Sequence, residues 1–247
     1  MHKQRGDERT YFFKVIGTTI EPSHHCIRQQ NNQSRLVLAI MIEQIQWYGH
    51  GSFAIQGPPL IYINPYRVSS GVFLADVVLI GHDHYDHFSP ADIEKVRGPE
   101  TRIITNERVA EQITQCEILR PWQTIRIDRA GIKGIPAYSP NDMRHPKEDG
   151  GLGFIISMNF YDIYYAGDTG LIPEMNHINP DIAILPIDGR GTMDVDTAIE
   201  AVKLLRPRWV IPCNWGGQGE GATAVDAQEF KERVGGRAQV ILPKLSP

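Results

Sequence analysis

The stretch DVVLIGHDHYDHFSP, residues 76 to 90, constrains this chain more than any other. A continuous apolar run of this kind suits a strand covered on both faces. It ends abruptly in three histidines and two aspartates, all between His82 and His87. Successive side chains on a strand alternate, so His82 and His84 aim at one point while Asp83 looks away. Asp86 and His87 are sequence neighbours and converge only where the chain turns. Ser89, Pro90 and Asp92 read as the start of a helix, which places the turn just before them. The expected product is a chelating loop at the C-terminal end of a strand, where α/β folds hold their ligands. Imidazole nitrogen and carboxylate oxygen without thiolate suit Zn²⁺, and also Mn²⁺ or Fe.

The chain has 247 residues, 41% of them hydrophobic, enough for one sizeable core. Its net charge of −4 argues against a general affinity for nucleic acid or anionic membrane. No apolar run approaches the roughly 20 residues that span a bilayer, and no secretory signal is evident at the start. Cys26, Cys116 and Cys213 are too scattered for a disulfide framework, so a reducing, cytoplasmic setting is expected. Residues 1–40 differ from the remainder. They are polar, lack a hydrophobic period and carry +3, which leaves −7 for the rest. They read as a poorly structured N-terminal extension, with a functional domain over 41–247. The cluster His24, His25, Cys26 lies in that extension and reads as incidental.

From Met41 on, apolar stretches alternate with turns and amphipathic segments. QIQWYGH and LIYINPY read as strands joined by QGPP, and SPADIEKVRG as a helix stopped by Gly98. RIIT, TIRI, IKGIPAY, DIAILPI, WVIPCNW and QVILP read as strands. NERVAEQIT, MDVDTAIEAVKLLRP and AVDAQEFKERVGG read as helices, and GFIISMNFYDIYYAGDTG as a hairpin turning near Asn159. Strands come first and strand–helix alternation follows, so the expected class is α/β in layers.

HDHYDH matches the HxHxDH signature of the metallo-β-lactamase superfamily. QWYGHGSFAI, YYAGDTG and LPIDGRGTMDVDTAIEAVKLLRPRWVIPCNWG resemble further segments of one branch, which includes L-ascorbate-6-phosphate lactonase-like hydrolases. The resemblance covers nearly everything from Met41 onward. It implies an αββα four-layer sandwich with a metal site along one edge. It also implies that His82 and His84 hold a first ion, Asp86 and His87 a second, and that Asp168 bridges them. The resemblance has departures. Tyr138, Ser139 and Asn141 stand where a loop histidine is usual, with His145 further on. Asn214 takes the place of a last histidine, which makes it a weaker candidate ligand, and Asn64 that of an aspartate. His50, His145, Asp188 and Arg190 are expected towards the substrate. The function implied is hydrolysis of a small ester, lactone, amide or phosphodiester by metal-bound hydroxide, with Asp86 orienting the water or taking its proton. One or two Zn²⁺ ions are expected, or Mn²⁺ or Fe. The expected partner is a small molecule, not nucleic acid or membrane. The alternative is a catalytically degenerate member of the superfamily that binds a ligand or partner.

Overall fold

The computed structural model describes residues 41–217 and 221–246. The extension 1–40, with His24, His25 and Cys26, lies outside the described residues.

Two sheets are built in sequence. The first holds β1 (Ile45–Gly49), β2 (Ser52–Ile55), β3 (Ile61–Ile63), β4 (Ala75–Ile80), β5 (Arg97–Thr105) and β6 (Cys116–Ile118), in that spatial order. β1, β2 and β3 run antiparallel; β3 to β6 run parallel. The second holds β7 (Thr124–Ile127), β8 (Ala130–Pro136), β9 (Leu152–Met158), β10 (Tyr161–Tyr165), β11 (Ile182–Pro186), β12 (Trp209–Cys213) and β13 (Gln239–Val240), again side by side in chain order. β7 to β10 form an antiparallel meander and β10 to β13 run parallel. Parallel neighbours need crossovers, and helices supply several of them. α1 (Pro90–Val96) and α2 (Glu107–Ala110) serve the first sheet. α3 (Val195–Leu205) and α4 (Ala224–Val234) serve the second.

The period-2 pattern of each strand divides its side chains between two cores. In the first sheet Ala54, Tyr62, Val78, Ile80 and Ile103 pack with Ile93 and Val96 of α1. In the second, Tyr164, Ala183, Leu185 and Val210 pack with Ala198, Val202 and Leu205 of α3 and Phe230 of α4. The alternate residues, among them Phe53, Ile63, Leu79, Ile163, Tyr165 and Ile184, are buried on the opposite faces. There the sheets meet: the Phe53 and Tyr165 rings lie 6.1 Å apart, and the Leu152 amide donates to the Gly81 carbonyl at 2.9 Å. The result is two sheets face to face with helices outside.

Three elements differ from the sequence expectation. The segment NERVAEQIT is helical only over one turn, Glu107–Ala110, before the chain departs towards β6. QVILP pairs over Gln239–Val240 alone. Gly98 does not stop a helix; α1 ends at Val96 and Arg97 opens β5, which runs through Gly98.

Candidate metal centre

Every candidate residue of the site sits on a connection at one end of the two sheets. His82 and His84 follow β4. The chain then folds back, with the amides of His87 and Phe88 donating to the His84 carbonyl at 2.9 and 2.7 Å. Ser89 caps α1 and fixes that turn. His50 occupies the β1–β2 turn with φ of 49°, and Asn214 follows β12 with φ of 59°. Asp168 follows β10 through Gly167, whose φ is 70° and whose missing Cβ would stand 3.0 Å from the Leu152 carbonyl oxygen. His145 arrives from the loop between β8 and β9. That loop doubles back on itself, with the Ser139 amide donating to the His145 carbonyl at 2.8 Å.

Two groups of ligand-type atoms result, sharing Asp168. His82, His84, His145 and Asp168 bring one such atom each within 4.8 Å of one another, and so do His50, His87 and Asp168. Asp168 Oδ2 lies 3.5 Å from His82 Nε2 and 3.3 Å from His145 Nε2. Asp168 Oδ1 lies 3.4 Å from His87 Nε2 and accepts from Asn214 Nδ2 at 3.0 Å. Asp86 belongs to neither group; its Oδ2 is 3.1 Å from His50 Nε2. The sequence placed His145 and His50 towards substrate, whereas the fold brings each into one of the two groups. No local spacing announces this, because a loop that doubles back and a hairpin turn carry them there. Asn214 turns its amide nitrogen to Asp168 and leaves Oδ1 buried without a hydrogen-bond partner.

The protonation states suit ligation. Burial holds the His82 imidazole well below the ordinary histidine range and takes His87 down to about 4. Burial also works against ionised Asp168, but His87, His145 and His82 outweigh it and hold the carboxyl well below the usual range. At Asp86 burial is likewise overcome, mainly by the hydrogen bond from His50, which brings the carboxyl down to about 2. His145 is moved upward, because Asp168 outweighs the effect of burial. Near neutrality His82 and His87 are therefore neutral and Asp86 and Asp168 ionised, the forms that bind metals.

His82 Nε2 is buried without a hydrogen-bond partner. A buried polar atom left so is costly unless something else meets it. Three imidazoles and a carboxylate around one point fit a borderline divalent cation. Beside them lies a cavity of about 230 Å³, bordered by Tyr66, Arg67, Tyr85, Arg144, Asp188 and Arg190. Asp188 accepts from the Thr192 hydroxyl, and burial raises its pKa. Tyr66, Arg67 and Tyr85 were not among the sequence candidates; only the loop after β3 and the turn after His84 bring them here.

Residues 44–214 match the β-lactamase superfamily domain. The chain belongs to that superfamily and, within it, to the UPF0173 metal-dependent hydrolases. The UPF0173 metal-dependent hydrolase of Thermococcus kodakarensis is 31% identical over 222 residues, spanning 81% of this chain and 95% of that protein. The one from Methanocaldococcus jannaschii is 30% identical over 223 residues, spanning 81% and 97%. Among solved structures, Igni18, a metallo hydrolase from Ignicoccus hospitalis, aligns with a TM-score of 0.71 at 28% identity, covering 82% of this chain and 95% of that one. Among the described residues, no helix is long and apolar enough to cross a membrane.

Proposed function

We propose that this metal-dependent hydrolase acts on a small ester, lactone, amide or phosphodiester and uses Zn²⁺, with Mn²⁺ or Fe suiting the same donors. The observation that carries the reading is the convergence of His82, His84, His145 and ionised Asp168 beside a cavity of about 230 Å³. An ion held there would lower the pKa of a bound water towards neutrality and polarise the substrate's oxygen. The remaining work falls to the chain. Asp86, ionised down to about pH 2 and beside His50, would orient the water and accept its proton. Arg67 and Arg190 border the cavity and would hold the substrate's oxygens. The size of the cavity favours a small molecule over nucleic acid or a lipid surface. The scattered cysteines accord with a cytoplasmic setting.

Elemental analysis of the gently purified protein, with a panel of activated esters and bis-(p-nitrophenyl) phosphate, tests the reading. A bound ion is expected, with turnover lost to a chelator and restored by Zn²⁺ or Mn²⁺. Protein that neither retains nor takes up these ions would overturn it. The non-catalytic alternative draws support from Asn214, whose amide engages Asp168 where a histidine is usual. Tight metal binding without turnover, and activity appearing only in Asn214→His, would favour that alternative.

A further inference from the structure

Backbone groups reveal where the protons of this site must sit. An amide N–H only donates and a carbonyl only accepts. The Gly81 amide donates to Asn64 Oδ1 at 2.9 Å, so the other end of that side chain is the amide nitrogen. Asn64 Nδ2 lies 2.9 Å from the Tyr165 hydroxyl and 2.9 Å from His87 Nδ1. The Tyr165 hydroxyl donates its own proton to the Gly51 carbonyl at 2.9 Å, so it accepts from Asn64. Gly51 permits that approach: a Cβ there would stand 2.8 Å from the hydroxyl and 2.9 Å from His87 Cε1. The second amide proton of Asn64 then points at His87 Nδ1, which must be the acceptor. An imidazole that accepts at Nδ1 is neutral and carries its hydrogen on Nε2, the atom turned towards Asp168.

His145 is set the opposite way. Its Nδ1 lies 2.8 Å from the Gly191 carbonyl, which fixes the hydrogen on Nδ1. In the neutral ring, the form that can ligate, the lone pair of Nε2 then faces His84 Nδ1 at 3.2 Å and Asp168 Oδ2 at 3.3 Å. The carboxylate is divided accordingly. Oδ2 serves His82 and His145, while Oδ1 already accepts from Asn214. Ligation through nitrogen needs a lone pair at the ligating atom, and the partner of the other ring nitrogen decides which one has it.

We infer that the chain binds one ion, among His82, His84, His145 and Asp168, and that Asn64 closes the His50–His87–Asp168 group to a second by fixing the hydrogen on His87 Nε2. This rests on the metal-hydrolase reading and adds to it the number of ions and the residue that sets it. Reversing the Asn64 amide does not reopen the group, because it would turn Nδ2 against the Gly81 N–H and strip a buried donor of its acceptor. Asn64→Asp keeps the shape, accepts from Gly81 with one oxygen and accepts a hydrogen from His87 Nδ1 with the other.

The test is Zn²⁺ titration of metal-free protein by calorimetry, with elemental analysis after gel filtration, for wild type and Asn64→Asp. Long-range ¹H–¹⁵N spectra of both metal-free proteins report which His87 nitrogen carries the hydrogen, whatever ions bind. Wild type is expected to hold one ion per chain and to show His87 protonated at Nε2. Asn64→Asp is expected to show it at Nδ1 and to retain a second ion through gel filtration, its second site tighter by about 10–100-fold than any residual second-site affinity of wild type, the range for outer partners of ligating histidines. Two ions of similar affinity in wild type, His87 protonated at Nδ1 in wild type, or a folded Asn64→Asp still limited to one ion would each overturn the inference. Wild type that takes no ion at all overturns the hydrolase reading along with it, and the spectra still show the tautomer.

Discussion

His145 is the residue whose removal separates ligation from mere proximity. Its Nδ1 is anchored on Gly191 and its Nε2 faces the shared carboxylate. His145→Ala is expected to weaken Zn²⁺ binding by more than the roughly 10–100-fold typical of outer-shell losses, measured by chelator competition. Retention of wild-type affinity would remove His145 from the site. The buried rings also set a pH dependence. Ordinary histidine takes up its proton near 6.5, whereas burial holds His82 well below that and His87 at about 4. As pH falls, the unfolded chain therefore gains protons first, and metal-free protein loses stability between 6.5 and about 4. For His87 alone the loss is about 3 kcal/mol. His145, raised in the fold, stabilises most below 6.5 and loses that contribution as pH rises through its folded value, outside this window. Asp86 and Asp168 keep theirs until pH drops below the usual carboxylate range. Urea unfolding of metal-free protein at pH 6.5 and at about pH 4 checks the sign, and equal midpoints would contradict it. At this scale HDHYDH was legible because its geometry is local. The places of His50 and His145 depend on a turn and a loop meeting the cluster from elsewhere, which no spacing encodes.

Among the elements, the join between α1 and the loop after β3 matters most to the cavity. In the sequence Asp92 reads only as part of the start of α1. Its carboxylate accepts from the amides of Arg67 and Val68, at 3.0 and 3.2 Å, and from Lys95 and the Ser89 hydroxyl. This ties Tyr66 and Arg67 to the helix that follows the histidine turn. Asp92→Ala leaves two backbone donors without that acceptor. It is expected to cost about 2–3 kcal/mol in denaturant unfolding. It should also raise KM more than it lowers kcat, since the cavity wall loosens while the histidines stay. An unchanged unfolding midpoint would show the tether to be dispensable. Elements with strong periodicity were legible: α3 buries Ala198, Val202 and Leu205 as its pattern requires. Short ones were not, since the single turn of α2 and the two residues of β13 are set by neighbouring chain rather than by their own period.

For the whole molecule, the layered class followed from strands first and strand–helix alternation after. The pairing of two sheets did not follow from pattern alone; it came with the family resemblance. We propose that residues 41–247 hold the entire hydrolase unit, in keeping with a superfamily match that begins at residue 44. A chain started at Met41 is expected to unfold cooperatively, with the thermal midpoint and metal content of the full chain. Failure to fold or to bind metal would refute the proposal. The seam between the sheets has one further consequence, for biosynthesis. His82 and His84 come from the first half, His145 and Asp168 from the second. A growing chain carries the histidine loop out of the ribosome before its carboxylate partner is made, and a domain generally folds as a unit. The nascent first half can offer a passing cation only an open claw, and capture must wait until β10 and the residues just beyond it have docked.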